Sequence, residues 1–454
     1  MTSNPTYSGL LTDLYELTMA AGYLETGFDA RATFELFVRS LPPRRNYLVA
    51  AGLDQALDFL ENVRFSNEEI AYLRKQPVFA RIGGDFFQYL EEFRFSGDVW
   101  AMPEGTVFFP GEPILRVTAP IVEAQIVETF LLAAINFQTM IASKAARVTQ
   151  AAAGRPVIEF GTRRAHGMES GVLAARAAVI GGCQGTSNVA AGHQFGIPIY
   201  GTQAHSWIMA HEDEEEAFRR FLNIFPDHSV LLVDTYDVRA AVEKIISMGR
   251  RPRGVRLDSG DLAADSAWVR QRLDQAGWND VIVFASGDLD EDRIASLLAV
   301  GAKIDGFGVG TALVTSNDSP TLGVIYKLVE IEIGGEVRSA AKFSAAKVTY
   351  PGRKQVYRFS HPDGMFANDV IGLVEEDFPG AKTLLKRVMI GGTRSVTRTD
   401  LDAARKRCLQ QRARLPEPVR SLNGDAAPYP VRHSEMLEGL LEKVRRRVRH
   451  AAHI

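Results

Sequence analysis

Short apolar runs alternate with longer helical stretches along residues 126–330. The runs are 156–160, 197–200, 230–234, 254–258, 281–284 and 303–305, and the last four begin about 22 to 27 residues apart. Helical stretches at 238–248, 262–275 and 290–299 fit between them. Continuous apolar strands joined by helices predict a buried parallel sheet. Six or seven such units in about 200 residues favour a parallel α/β barrel over an open sheet.

The pattern differs on both sides of this region. Residues 1–125 mix helix and strand, with a helix starting near Thr12 and short strands over 97–122, where Pro and Gly mark turns. After residue 330 the strand–helix rhythm breaks, and an amphipathic helix starts at Ser434. The sequence thus predicts an N-terminal α/β domain (1–125), a barrel (126–330) and a C-terminal segment (331–454).

Composition narrows the class of protein. The chain has 454 residues, 46% hydrophobic and 24% charged, which is typical of a globular protein. A net charge of −3 gives no reason to expect nucleic acid as a partner. The two cysteines, Cys183 and Cys408, lie far apart in sequence and suggest neither a disulfide framework nor a zinc knuckle.

No membrane partner is expected either. The most apolar stretch, residues 126–137, contains Glu128 and is too short to span a bilayer. The first residues form neither a basic region nor an apolar targeting core. We therefore expect a cytoplasmic protein.

Polar residues follow each predicted core strand. In a parallel barrel all these segments open at the carboxyl-terminal rim, where active sites are found. Helix caps explain part of the pattern, because Ser, Thr and Asp are common caps. Caps do not explain the basic and imidazole side chains, which are Arg163, Arg164, His166, His205 and Arg256.

The chemistry of this rim suits an anionic sugar. The Gly-rich turn 306–311 offers backbone N–H groups for a phosphate, although a simple tight turn is the alternative. Asp258, Asp261 and Asp288 supply oxygens for sugar hydroxyls or magnesium. Together with the arginines they indicate a sugar phosphate with magnesium, or alternatively a set of structural salt bridges.

His205 is the candidate nucleophile or base of the rim. Asp234, at the next strand end, is a candidate to orient its imidazole. The alternative is a structural histidine; a metal site with His211 is disfavoured by the spacing. The acidic run 212–216 is interpreted as a solvated helix start, and Cys183 as a packing residue.

Several segments resemble the nicotinate phosphoribosyltransferase family, and the resemblance covers most of the chain. The matching segments, in chain order, are 12–19 (TDLYELTM), 159–165 (EFGTRRA), 201–206 (GTQAHS), 233–237 (VDTYD), 256–261 (RLDSGD) and 308–311 (GVGT).

The resemblance implies a fold and a reaction. The fold would be an irregular parallel α/β barrel with an adjoining mixed-sheet α/β domain built from both chain ends, so that 331–454 packs back on the N-terminal domain. The reaction would join nicotinate to 5-phosphoribosyl 1-pyrophosphate (PRPP), giving nicotinate mononucleotide and pyrophosphate with coupled ATP hydrolysis. This is the first step of NAD salvage from nicotinate. The family implies Mg²⁺, held by the substrate pyrophosphate, and a homodimer with shared active sites.

The resemblance also implies roles for residues that bind the acceptor. Tyr15, supplied by the partner subunit, would stack on the pyridine ring. Arg163 would face the nicotinate carboxylate, with a contribution from Thr162. A cation at this place favours nicotinate over the uncharged amide.

The remaining roles concern PRPP and ATP. Ribose and pyrophosphate would be held by Arg256, Asp258, Gly287 and Asp288, and the 5-phosphate by Gly308 and Gly310. ATP would phosphorylate His205, with Asp234 orienting the imidazole and Arg256 beside the leaving pyrophosphate. The segment that contains His205, residues 201–206, would contribute three further substrate-binding residues, Gly201, Thr202 and Ser206.

The same residues are compatible with two alternative functions. One is a phosphoribosyltransferase of the same barrel type that uses nicotinamide or quinolinate. The other is a non-catalytic barrel that only binds a sugar phosphate.

Overall fold

The computed structural model describes residues 7–344, 347–423 and 427–451. They form two compact units: the described residues of 1–140 and 321–454 make up the first, and residues 141–320 the second. The first division thus lies later than the expected boundary at 125, and the second lies earlier than 330. One continuous helix, Glu128–Ala151, spans the first division, and a sequence rhythm of strands and helices does not reveal such a division.

The N-terminal part mixes short strands and helices, as expected. Its strands are β1 (Tyr7–Ser8), β2 (Arg31–Val38), β3 (Leu48–Val49), β4 (Val63–Arg64), β5 (Asp98–Ala101), β6 (Val107–Phe108) and β7 (Pro113–Pro120). Its helices are α1 (Leu14–Glu25), α2 (Leu53–Asn62), α3 (Asn67–Arg74), α4 (Gly84–Glu92), α5 (Ile121–Ile126) and α6 (Glu128–Ala151), with a 3₁₀ turn at Pro77–Phe79.

The middle part alternates strands and helices. Its strands are β8 (Val157–Glu159), β9 (Gly185–Thr186), β10 (Val230–Leu232), β11 (Gly254–Leu257), β12 (Ile282–Ala285) and β13 (Gly306–Val309). Its helices are α7 (Met168–Ile180), α8 (Val189–Phe195), α9 (His205–Met209), α10 (Glu214–Ile224), α11 (Val238–Ser247), α12 (Leu262–Gln275), α13 (Glu291–Ala299) and α14 (Thr311–Val314), with a 3₁₀ turn at Thr162–Arg164.

The C-terminal part is richer in strands. They are β14 (Val324–Ile333), β15 (Glu336–Ser339), β16 (Lys354–Ser360), β17 (Phe366–Leu373), β18 (Lys382–Thr383), β19 (Lys386–Ile390), β20 (Thr393–Arg394) and β21 (Val431–His433). Its helices are α15 (Leu401–Ala413), α16 (Glu417–Arg420) and α17 (Glu435–Ala451). The last begins after Ser434, whose hydroxyl accepts a hydrogen bond from the Leu437 amide, as its capping role requires.

Both chain ends contribute strands to the sheets of the first unit. A seven-stranded sheet has the order β15-β14-β2-β7-β5-β19-β20 and antiparallel pairing throughout. A four-stranded sheet, β18-β16-β17-β21, is mixed, because β17 and β21 run parallel. Two further pairs, β1-β4 and β3-β6, are short.

The second unit contains a parallel sheet, which positions the candidate site. Its order is β10-β11-β12-β13-β8-β9, and every neighbouring pair is parallel. Its strands carry fully buried residues such as Val255, Val283 and Phe307, as continuous apolar runs predict. The predicted strand 197–200 forms only a single bridge, from Ile199 to Thr186.

The strand order is that of an open row with β9 and β10 at its edges, so it confirms the parallel sheet but not a closed barrel. Within the described ranges, no helix combines the length and apolar character needed to cross a membrane.

Candidate functional site

The carboxyl ends of the parallel strands carry the polar residues that the sequence singled out. Because neighbouring strands run in the same direction, the segments after β8, β10, β11, β12 and β13 all leave the sheet on the side where the strands end. Side-chain hydrogen bonds connect several of these segments to one another.

Arg256, on β11, links the segments after β11 and β12 to the segment 201–206. Its Nε donates to Ser286 Oγ at 2.7 Å, one terminal nitrogen donates to Thr202 Oγ1 at 2.8 Å, and the other to Asp258 Oδ1 at 2.5 Å. The guanidinium also lies 5.7 Å from the ring centre of Phe160. The Arg256 side chain is therefore fixed before any substrate arrives.

Asp258 is held as a carboxylate within this network. Burial alone would raise its pKa, but the hydrogen bond from Ser286 and the charge of Arg256 outweigh that effect and lower the pKa. Ser286 donates its hydroxyl to Asp258 Oδ1 at 2.5 Å. Asp258 thus keeps its negative charge at neutral pH.

His205 begins helix α9 and faces this carboxylate. Its Nε2 lies 4.0 Å from Asp258 Oδ2, and its Nδ1 lies 3.1 Å from the hydroxyl oxygen of Thr235. The side chain is 43% exposed. One ring nitrogen therefore contacts a hydroxyl, while Nε2 makes no hydrogen bond among the described residues.

Asp234 does not orient His205 as expected. Its Oδ2 accepts hydrogen bonds from the Asp258 amide at 3.0 Å and from Ser259 Oγ at 2.6 Å. Since β10 and β11 are neighbours, the end of β10 lies beside the loop that follows β11. Asp234 therefore fixes the loop that carries Asp258, and Thr235 is the residue that contacts the imidazole.

Thr162 and Arg163 lie on the 3₁₀ turn after β8. Thr162 Oγ1 accepts a hydrogen bond from Asn188 Nδ2 at 3.0 Å. Arg163 is exposed, and its guanidinium has no hydrogen-bond or ion-pair partner in the described part of the chain. In contrast to Arg256, it is free to bind an anion.

The glycines differ in why they are needed. Gly287 has φ of 87°, and a side chain there would collide with the Asp258 carbonyl. Asp288 follows with φ of 45° and is exposed. A side chain on Gly308 would overlap the Phe160 ring, so this glycine makes room for an aromatic group; Gly310 precedes the short helix α14.

The segment 201–206 contributes unevenly. Thr202 binds Arg256, whereas Gly201 and Ser206 are exposed. Between them Gln203 is only 4% exposed, and both polar atoms of its amide lack a hydrogen-bond partner among the described residues. Because buried amides are normally hydrogen-bonded, the side chain of Gln203 is an unusual feature of this segment, and composition and spacing did not reveal it.

A cavity of about 260 Å³ lies inside the second unit. Apolar and aromatic side chains form much of its wall, including Phe160, Tyr200, Val230 and Phe284. Both edges of the parallel sheet reach it, because Val230 begins β10 and Gln184 precedes β9.

Tyr15 lies in the first unit, near the start of α1, and is 46% exposed. Burial and the neighbouring carboxyl groups of Glu128 and Glu16 raise the pKa of its hydroxyl. Burial also raises the pKa of Glu16 to about 7. The Tyr15 phenol is therefore neutral over the physiological range.

Four residues of the site do not stand out in the sequence: Ser286, Thr235, Asn188 and Gln203. Ser286 and Thr235 do stand at strand ends, which is the signal that could have found them. Among the described residues, no group of three or more His, Cys, Asp or Glu side chains is arranged to hold a metal ion.

Comparison with known proteins identifies the family. Residues 10–136 match the nicotinate phosphoribosyltransferase N-terminal domain, and residues 156–363 match the nicotinate phosphoribosyltransferase family. The chain is 47% identical over 444 residues to the Mycobacterium tuberculosis nicotinate phosphoribosyltransferase pncB2, covering 96% of this chain and 94% of that protein. It is 45% identical over 386 residues to the Bacillus subtilis nicotinate phosphoribosyltransferase, covering 83% and 78%.

Solved structures agree. The human nicotinic acid phosphoribosyltransferase superposes with a TM-score of 0.83 at 28% identity, covering 95% of this chain and 99% of the other. Nicotinate-nucleotide pyrophosphorylase from Pyrococcus furiosus gives 0.73 at 26% identity, covering 89% and 95%. This chain belongs to the nicotinate phosphoribosyltransferase family.

Proposed function

We propose that the protein joins nicotinate to PRPP, giving nicotinate mononucleotide and pyrophosphate, and thereby starts NAD salvage from nicotinate. One observation carries the proposal beyond family membership. Arg256 and Asp258 at the end of β11, Ser286 after β12 and Thr202 of the segment 201–206 form a single hydrogen-bonded network beside His205. A network of this kind would hold a polyanionic sugar in one fixed orientation.

The PRPP subsite would be formed by this network. The pyridine nitrogen forms a bond to the anomeric carbon as the bond from that carbon to the pyrophosphate oxygen breaks. Arg256 would stabilise the charge on the departing pyrophosphate, and Asp258 would accept hydrogen bonds from the ribose hydroxyls. Gly287 and Asp288 would also contact the ribose and pyrophosphate, and the backbone N–H groups of 308–311 would donate hydrogen bonds to the 5-phosphate.

Magnesium would enter with the pyrophosphate. The exposed Asp288 carboxylate and the second oxygen of Asp258 are hard donors of the type that Mg²⁺ prefers. When bound, the ion would supply charge neutralisation for the leaving group.

The acceptor would be recognised by Arg163. Its free guanidinium matches a carboxylate in charge and in planar geometry. Thr162 would add a hydroxyl at the same turn, and Tyr15 of a second subunit would stack on the pyridine ring. An uncharged amide would leave Arg163 unpaired, so nicotinate would be preferred to nicotinamide.

ATP would phosphorylate His205. Because Nδ1 contacts the Thr235 hydroxyl and Nε2 has no hydrogen bond within the described residues, Nε2 is the nitrogen to which the γ-phosphoryl group of ATP would be transferred, with ADP leaving. Gly201 and Ser206 flank this position. A phosphoryl group there would add negative charge close to Asp258 and the pyrophosphate subsite, which would couple ATP hydrolysis to the main reaction.

Two structural features complete the proposal. The parallel sheet would curve into an irregular, incompletely hydrogen-bonded barrel; a cavity reached from both of its edges supports such curvature. Two copies would form a homodimer with shared sites in the cytoplasm.

The test is product formation. Purified protein is incubated with ring-labelled nicotinate, PRPP and Mg²⁺, with and without ATP, and the nucleotide is separated chromatographically. We expect labelled nicotinate mononucleotide together with an equal amount of pyrophosphate. Parallel reactions with nicotinamide and quinolinate test the alternative acceptors, and absence of product with every acceptor would indicate a barrel that only binds ligands.

A further inference from the structure

A buried carboxylate lies directly behind the turn that carries Arg163. Glu159 ends β8 and is fully buried. Its Oε1 accepts a hydrogen bond from the Gly161 amide, and its Oε2 accepts one from Thr186 Oγ1 at 2.6 Å. No cation pairs with it in the described part of the chain. These two hydrogen bonds are therefore what compensates the carboxylate for burial.

The hydrogen bonds continue from Glu159 to the turn along a second route. Thr186 Oγ1 accepts from the Asn188 amide at 2.9 Å, and Asn188 Nδ2 donates to Thr162 Oγ1 at 3.0 Å. Asn188 Oδ1 also accepts from the Ala191 amide at 2.9 Å, which caps α8. The side chain of Asn188 is thus held at both of its polar atoms.

The two routes hold the turn on the side preceding Arg163. Gly161 is tied through its backbone and Thr162 through its side chain, both ultimately to Glu159. A long arginine side chain loses considerable conformational freedom when it binds a ligand. A fixed backbone at Arg163 reduces the conformational entropy that is lost when the ligand binds. The fixed backbone also sets the direction in which the guanidinium points.

We infer that Glu159, Thr186 and Asn188 are positioning residues that direct Arg163 toward the acceptor carboxylate and so help to select a carboxylated pyridine. This inference rests on the proposed function. It assigns a role to three residues that would not themselves touch the substrate.

The primary test is a pair of substitutions at Thr186. Thr186→Val keeps the side-chain shape but removes the hydroxyl that bridges Glu159 and Asn188, whereas Thr186→Ser keeps it. We expect Thr186→Val to raise the KM for nicotinate about tenfold, with kcat and the KM for PRPP changed less than about twofold. The ratio of kcat/KM for nicotinate to kcat/KM for nicotinamide should fall by about the same factor in Thr186→Val. Thr186→Ser should resemble wild type in all of these constants.

A matched control separates positioning from general destabilisation. Thr33→Val removes a buried hydroxyl in the first unit, where it contacts Thr118 Oγ1 at 2.9 Å. It should lower stability without moving either KM. Equal rises of the KM for nicotinate and for PRPP in Thr186→Val, or no rise in either, would overturn the inference.

A second variant serves if Thr186→Val fails to fold. Asn188→Ser retains a capping oxygen for α8 but loses the amide that donates to Thr162. The same selective rise in the KM for nicotinate is expected, and an unchanged KM would overturn the inference.

Amide hydrogen exchange of the peptide over 158–168 gives a readout that does not depend on activity. We expect faster exchange in Asn188→Ser than in wild type; identical exchange would show that the turn is not held in this way. If wild type makes no product from nicotinate, the proposed function fails, and the exchange measurement still decides whether the network holds the turn.

Discussion

The imidazole Nε2 of His205 lies 4.0 Å from Oδ2 of Asp258. The other oxygen of Asp258 binds Arg256, so a single carboxylate lies between the proposed phosphorylation site and the proposed pyrophosphate subsite. A change of charge on His205 would therefore be felt at Arg256 through Asp258. This arrangement gives the proposed coupling of two reactions a physical route.

Replacing His205 should abolish the phosphoenzyme. In His205→Ala no nitrogen is left to accept the γ-phosphoryl group, while the partly exposed position makes loss of the fold unexpected. Incubation with γ-labelled ATP, followed by gel separation, measures the label on the protein. The control is His166→Ala, which removes an exposed histidine from the segment between β8 and α7; this variant should be labelled normally. Undiminished label on His205→Ala would show that the phosphoryl group goes elsewhere.

Ser286 should matter for PRPP although it lies below the surface. Ser286→Ala removes a hydroxyl that contacts both Arg256 and Asp258, leaving the guanidinium with one hydrogen bond fewer. We expect the KM for PRPP to rise about five- to tenfold, with a smaller effect on the KM for nicotinate. Ser247→Ala, at the exposed last residue of helix α11, should leave steady-state kinetics unchanged. A selective effect on nicotinate instead would argue that Ser286 does not serve the PRPP subsite.

Arg163 should determine the choice of acceptor. Arg163→Ala removes a free guanidinium that would pair with the nicotinate carboxylate, so the KM for nicotinate should rise about ten- to hundredfold. Turnover of nicotinamide should change little, because an amide gains little from the cation. Arg219→Ala, an exposed arginine paired with Glu215 on α10, is the control. A parallel loss for both acceptors would mean that Arg163 acts on something they share.

Glu16 should make stability depend on pH. Its pKa in the folded chain is about 7, raised by burial from an ordinary value of 4.5. Below pH 4.5 the Glu16 carboxyl is protonated in the folded and the unfolded state, and its contribution to the free energy of unfolding is fully present. As the pH rises from 4.5 through 7 this contribution is lost, because the carboxyl ionises more readily in the unfolded state. Thermal unfolding should therefore show a smaller fall in Tm between pH 5 and pH 8 for Glu16→Gln than for wild type.

The control for this experiment is Glu68→Gln, which changes an exposed carboxyl in the first turn of α3. It should leave the pH dependence of Tm as in wild type. Identical pH profiles for Glu16→Gln and wild type would contradict a raised pKa of Glu16 in the folded protein.

The sequence predicted which strand ends carry chemistry better than it predicted which side chains meet. Continuous apolar strands and their spacing are local signals, so the parallel sheet and the segments that follow its strands could be recognised. The contact of Arg256 with Thr202 joins residues 54 positions apart and depends on strand order. The affinity of a carboxylate for an imidazole predicts a contact of Asp234 with His205, whereas the structure places the hydroxyl of the next residue, Thr235, against the ring.

The barrel and the division of the chain show a similar limit. A strand–helix rhythm does not report whether the edge strands bond to each other, and β9 and β10 are separate edges here. The buried Glu159 was visible only as part of a motif. Its partner on β9, Thr186, lies 27 positions further along the chain, and the pairing of β8 with β9 brings the two together.

The specificity constant for nicotinate, compared with that for nicotinamide under identical PRPP, Mg²⁺ and ATP concentrations, tests the central claim most directly. A free arginine facing the acceptor predicts kcat/KM at least about a hundredfold higher for nicotinate, with one pyrophosphate released for each nucleotide formed. Comparable kcat/KM values for the two acceptors, or pyrophosphate release that does not depend on nicotinate, would contradict it.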